Sequence, residues 1–339
     1  MEKNHELAYE QFIIQKAIPE PMELYSNEEI SISLDTVSYL IESKLFKLVI
    51  DNKTGEINKW VHQDGLITND AIRPNFWRPP TDNDLGNGMH NWAAIWQVAS
   101  SKFKPFLKKE PYRSRNGISF EVEYLFPEEI AKLLVEYSIN IKGELTVEYN
   151  FSALKQNLPN IPRLGMYMTV DDNFTEVEWY GRGPHESYWD RKTSARAGIY
   201  NGEVSKEFHR YPRPQETGNK SDVRWMSISS DNTKLIVESF DENYLNCSLW
   251  PFSMEELDFV AAKDGGISAS GLVPVTARHG ADITIGKTVQ WNIDHLQMGV
   301  GGDTSWGRLV HDEYTIPPGD YSYGFIIKPS RQISLKGYY

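Results

Sequence analysis

The chain has one cysteine, no surplus of positive charge and no long apolar run. Cys247 alone excludes an intramolecular disulfide and any multi-cysteine zinc or iron–sulfur site. Against 47 Asp+Glu stand only 35 Lys+Arg, a formal net charge of −12. That balance works against nucleic-acid binding, whose affinity comes mainly from Lys and Arg on phosphates. It also disfavours polyanionic substrates. No stretch approaches the roughly 20 apolar residues that a membrane helix requires. The opening MEKNHELAYE lacks the apolar core of a secretory signal. Helical patterning is scarce, and there is no internal repeat. What the 339 residues do contain is 40% hydrophobic and 12% aromatic side chains, with 10 Trp, 18 Tyr and 14 Phe. Such a chain buries a large core.

Alternating β-branched and aromatic runs dominate, which predicts strands over 45–51, 120–126, 133–140, 145–151, 176–180, 235–240 and 321–328. Asn52-Lys53-Thr54-Gly55 and Lys142-Gly143 read as hairpin turns between such runs. Only 90–99 and the stretch after Ser253, with Glu256 three residues on, carry helix signals. Near the start, residues 7–16 read as a strand with no nearby hairpin partner. Pro19 and Pro21 then make a stiff connector before strands resume near Ser31. A lone strand needs another sheet to receive it, so the expectation is a chain that begins inside a larger architecture, the alternative being that the strand joins the main sheet.

Four irregular segments are richer in Gly, Pro, charge and aromatics than a simple turn requires. In Asn75–Asp84, Pro79 and Pro80 predict an extended backbone from which Thr81, Asp82, Asn83 and Asp84 project. These side chains suit sugar hydroxyls or a cation, and equally suit Asx-turns onto their own backbone. Gly86-Asn87-Gly88 follows and permits a mobile loop. In Trp179–Arg191, Glu186 and Asp190 have the chemistry of a glycosidase carboxylate pair. The alternative is that Arg182 and Arg191 pair with them and hold the loop in shape. Tyr211–Lys220 is a third irregular loop, with Pro212, Pro214 and Gly218. In His295–Trp306, glycines 299, 301 and 302 lack the strand–helix context of a nucleotide loop. They shape a loop presenting Asp303, Ser305 and Trp306. An indole at its tip suits the C–H face of a pyranose, and a buried indole suits a core. His185, His209, His279, His295 and His311 show no metal-ligand spacing. Cys247, within an apolar run, reads as a buried small residue.

Taken in order, these segments resemble the C-terminal domain of glycoside hydrolase family 2 β-galactosidases, also found as the small subunit of two-polypeptide enzymes. The resemblance is carried by Phe76-Trp-Arg-Pro-Pro-Thr-Asp-Asn-Asp84, Tyr180-Gly-Arg-Gly-Pro-His-Glu-Ser-Tyr188 with Asp190-Arg191, Tyr211–Gly218 and Met298-Gly-Val-Gly-Gly-Asp-Thr-Ser-Trp306. It implies an all-β fold, a large antiparallel β-supersandwich of the galactose mutarotase-like kind with a few short helices, over residues 31–339. It makes 1–18 the last strand of a preceding immunoglobulin-like domain and 19–30 a linker. It further implies that the catalytic glutamates lie on a TIM barrel outside this chain, in cis or as a large subunit. Magnesium and sodium are then expected in the full enzyme, with no metal held here, and the complete enzyme is expected to be a homo-oligomer. This chain would complete the galactoside pocket through Trp306, with Asp303 and Ser305 beside it and Gly86, Asn87 and Gly88 at its border, and would be inactive alone. Two other readings are a free-standing mutarotase-like epimerase, with a His and a carboxylate drawn from His185, His295 and Glu186, and a carbohydrate-binding module.

Overall fold

The computed structural model describes residues 8–14, 29–63, 65–115, 117–239, 243–261, 272–274, 279–304 and 307–331. Every strand pairing among them is antiparallel. The largest sheet has nine strands, in the order 196–203, 176–183, 225–229, 233–239, 320–331, 145–153, 131–139, 117–125 and 104–114. A five-stranded sheet, ordered 220–223, 245–250, 288–297, 163–171 and 73–75, packs against it. A second five-stranded sheet is a meander over residues 31–68. The all-β chain expected from the alternation, and the antiparallel sandwich implied by the resemblance, are therefore present.

Period-2 patterning explains the layering. In the strand Ala131–Ile139, residues 131, 133, 135, 137 and 139 are buried while the intervening side chains reach solvent. In Thr288–Gln297, Val289, Trp291 and Ile293 enter the core shared by all three sheets. Tyr323 from the large sheet reaches across that core and donates its hydroxyl to the Ile293 carbonyl at 3.0 Å. The alternate residues Gln290, Asn292 and Asp294 point to the other face and are buried as well. Polar groups buried on the outer face of a sheet require a cover, and the long irregular segments provide it.

The hairpin at Lys142-Gly143 joins strands 131–139 and 145–153 as expected. Cys247 is fully buried. Two local expectations change. Thr81 is extended, but from Asp82 the chain is not: Asp82–Gly86 forms a helical turn, with Thr81 and Asp84 closing a reciprocal capping box. The 90–99 helix is divided into Met89–Trp92 and Ala94–Lys102. Residues 8–14, expected within a strand, lie outside any ladder, with Phe12, Ile13 and Ile14 exposed. Instead, the Gln11 side chain bonds both the N–H and the carbonyl of Ala197 on the edge strand Arg196–Glu203.

Gly143 sits at φ +78°, where an added Cβ would lie 3.0 Å from Phe46 Cβ. Gly143→Ala should therefore lower stability by about 1–2 kcal/mol. A urea melt should show a reduced midpoint with an unchanged slope.

Candidate functional site

Two of the four irregular segments, tied together by a third, meet the backbone of the fourth at Met298–Gly301 and at Gly307. Phe76 and Trp77 anchor the first segment in apolar surroundings, Phe76 against Phe126 and Phe151. Trp77 donates its indole N–H to Asp258 at 3.0 Å. Between them and the helical turn, Arg78 has no exposure at all. Its guanidinium forks onto the Asp84 carboxylate, at 3.1 and 2.9 Å. It also donates to the carbonyls of Met298 and Gly299. The capping-box carboxylate thus serves a helix turn and a buried cation at once.

The second segment supplies Asp190, which accepts the backbone N–H groups of Val300 at 3.1 Å and Gly301 at 2.6 Å. Gly299 must be glycine here, since a Cβ would lie 2.7 Å from the Asp190 carboxyl carbon. Glu186 is saturated by donors: Arg191, the Tyr211 hydroxyl, Thr217 Oγ1 and the Gly218 N–H. Burial opposes its charge, but the Gly218 N–H, Tyr211 and Arg191 outweigh that and hold its pKa below the ordinary value. Arg191 pairs with Glu186 as expected. Arg182 does not join either carboxylate; it binds Asp222 at 2.6 Å. A carboxylate so fully occupied, and one spent on backbone amides, serve as struts in this geometry.

The third segment ties the first two together. Arg213 and Gln215 hold Asp82 at 2.6 and 3.1 Å, and the Glu216 N–H bonds Pro79 O. The Glu216 carboxylate, fully buried, pairs with Arg163 at 3.0 Å, and Asp294 lies 3.2 Å from the same guanidinium. Burial pushes the pKa values of both carboxyls up against the pull of Arg163, that of Asp294 to about 7. Sequence reasoning singled out neither Arg163 nor Asp294, because each sits in an ordinary strand pattern.

The tip itself is flanked on both sides. Asp303 is exposed and paired with His311 at 2.8 Å. Gly307, at φ +88°, packs on Gly86 so closely that a Cβ would meet the Gly86 carbonyl carbon at 2.2 Å. Its N–H reaches toward Asn83 Oδ1 at 3.4 Å. Gly86-Asn87-Gly88 is held in place, with Asn87 capping the turn and bonding the Trp92 indole. Ser305 and Trp306 lie outside the described residues. Of the residues considered for an epimerase, Glu186 is saturated by donors and His295 stacks on Tyr323 at 5.2 Å. Among the described residues no three His, Cys, Asp or Glu gather as metal ligands.

Fold and site define a β-sandwich domain whose irregular face is built to brace one surface loop. The chain belongs to the β-galactosidase small chain family, whose model matches residues 42–327. It is 30% identical over 329 residues to a β-galactosidase of Priestia megaterium (strain DSM 319 / IMG 1521), covering 96% of this chain and 30% of that protein. To a β-galactosidase of Lactobacillus delbrueckii subsp. bulgaricus it is 32% identical over 252 residues, 71% of this chain and 22% of the other. The chain thus spans less than a third of the length of either relative. A galactose 1-epimerase from Lactobacillus acidophilus NCFM aligns in structure at a TM-score of 0.42 and 10% identity, over 87% of this chain and 95% of that one.

Because Asp294 keeps its proton to about pH 7 in the fold and loses it near 3.9 when unfolded, the folded state binds more protons in between. Stability therefore falls as pH rises through that window. Asp294→Asn should flatten the slope, so that melting temperatures at about pH 5 and about pH 8 move closer together than in the native chain. Removing the shared cation leaves buried carboxyls uncompensated, and Arg163→Met should cost about 3–5 kcal/mol in chemical denaturation.

Proposed function

We propose that this chain completes the active site of a β-galactosidase, presenting Trp306 to the sugar while hydrolysis with retention proceeds on glutamates of a TIM-barrel portion, in cis or as a large subunit. The observation that supports this reading is the convergence of two separate segments, braced by a third, on the backbone of Met298–Gly301 and Gly307. An exposed loop held by a buried arginine, a dedicated carboxylate and a glycine–glycine contact is a pre-organised one, and pre-organisation serves binding. In this reading Trp306 offers an apolar face to the C–H side of a pyranose, Asp303 and Ser305 supply hydrogen-bonding groups, and Gly86–Gly88 borders the pocket. In this reading Asp190 and Arg78 are positioning residues.

In the assembled enzyme, Trp306→Ala should lower kcat/KM for a β-galactoside by about tenfold or more, mainly through KM, as expected for losing a stacked aromatic. Unchanged KM and kcat would overturn the assignment. The purified chain alone should not turn over a β-galactoside, and turnover at the roughly 1–1,000 per second of ordinary enzymes would place the chemistry here instead.

A further inference from the structure

Away from the tip, a cleft of about 200 Å³ opens among Trp189, Lys192, Asp222, Tyr244, Asn246 and Gln297. That is below the roughly 300–1,000 Å³ of drug-sized sites, which limits an occupant to about one ring. Gln297 lines it and is only 2% exposed. Its amide lies beside Glu216 and favours that carboxylate's charged form. Its oxygen, by contrast, has no hydrogen-bond partner among the described residues. A buried acceptor left unmet in this way is costly, and a ligand hydroxyl satisfies it.

The rest of the lining fits the same class of molecule. Trp189, half-buried, and Tyr244, exposed, contribute aromatic surface. Asn246 adds a second amide, which donates to the His295 carbonyl at 3.0 Å. The Lys192 cation is met by Asp222 at 2.7 Å, so it does not call for an anion. Asp222 itself holds a left-handed backbone at φ +52°, an unusual conformation for a residue with a side chain and one that clusters at binding sites. Aromatic faces beside paired amide groups match the C–H face and vicinal hydroxyls of a pyranose.

We propose that this cleft is a carbohydrate site separate from the tip loop, taking one neutral pyranose ring, with Gln297 accepting from one of its hydroxyls and Tyr244 covering its C–H face. Trp189 is adjacent to Asp190, so the occupant sits next to the strut that holds Val300 and Gly301. Saturation-transfer NMR and calorimetry on the full chain, with galactose and with glucose, test this, all in a Trp306→Ala background so that the tip loop contributes no binding. Millimolar binding of at least one sugar is expected, about tenfold weaker when Gln297→Leu or Tyr244→Ala is added. Tyr244 is exposed, so its variant keeps the test valid if the buried substitution fails to fold. The proposal is overturned by absence of transfer to either sugar, or by binding that survives both cleft variants. Inorganic phosphate displacing the sugar overturns it equally. These measurements read the chain by itself, so their outcome is distinct from that of the reconstituted hydrolysis.

Discussion

Two arginines without contact to water, Arg78 and Arg163, hold the irregular face of this domain together. A sheet normally covers its second face with apolar side chains from a helix or another sheet. Here the five-stranded sheet turns Gln290, Asn292 and Asp294 outward into buried space, so the cover has to be polar. Arg163 meets Asp294 from its own sheet and Glu216 from the overlying loop. Arg78 meets Asp84 and two carbonyls of the tip segment. A guanidinium has five N–H donors in a fixed fork, which suits it to join several chain segments at one point.

Buried ion pairs of this sort are a poor source of net stability, because desolvation offsets most of the Coulomb attraction. Their effect is on geometry. An apolar cover would tolerate small sliding of loops over the sheet, whereas a fork on a carboxylate admits one orientation. The same logic extends to Asp190 and Glu186, whose oxygens are taken up by fixed N–H and O–H groups. The apolar core beneath supplies the free energy, and the charged layer fixes where the loops stand.

The sequence disclosed the core more readily than the cover. Alternation at 131–139 and 145–153 follows from one buried face, so a local window contains the whole signal. The capping box at Thr81 and Asp84 was equally local, but Pro79 and Pro80 before it pointed to extended chain, and the helical turn went unread. Arg182 stands closer in sequence to Glu186 and Asp190 than to Asp222, yet Asp222 is its partner. Arg163 and Asp294 gave no local sign at all, since their role exists only once two strands and a distant loop are in register. The family resemblance rested on four motifs read separately. What connects those motifs physically is a set of contacts between residues far apart in the chain.

The restraints on the tip grip main-chain groups: carbonyls of Met298 and Gly299, amides of Val300, Gly301 and Gly307. Loop placement is thereby largely uncoupled from side-chain identity between those anchors. Divergence or laboratory recombination can exchange the displayed side chains while the scaffold stays as it is. The domain is in that sense a cassette, in which specificity can drift without a compensating change in the fold.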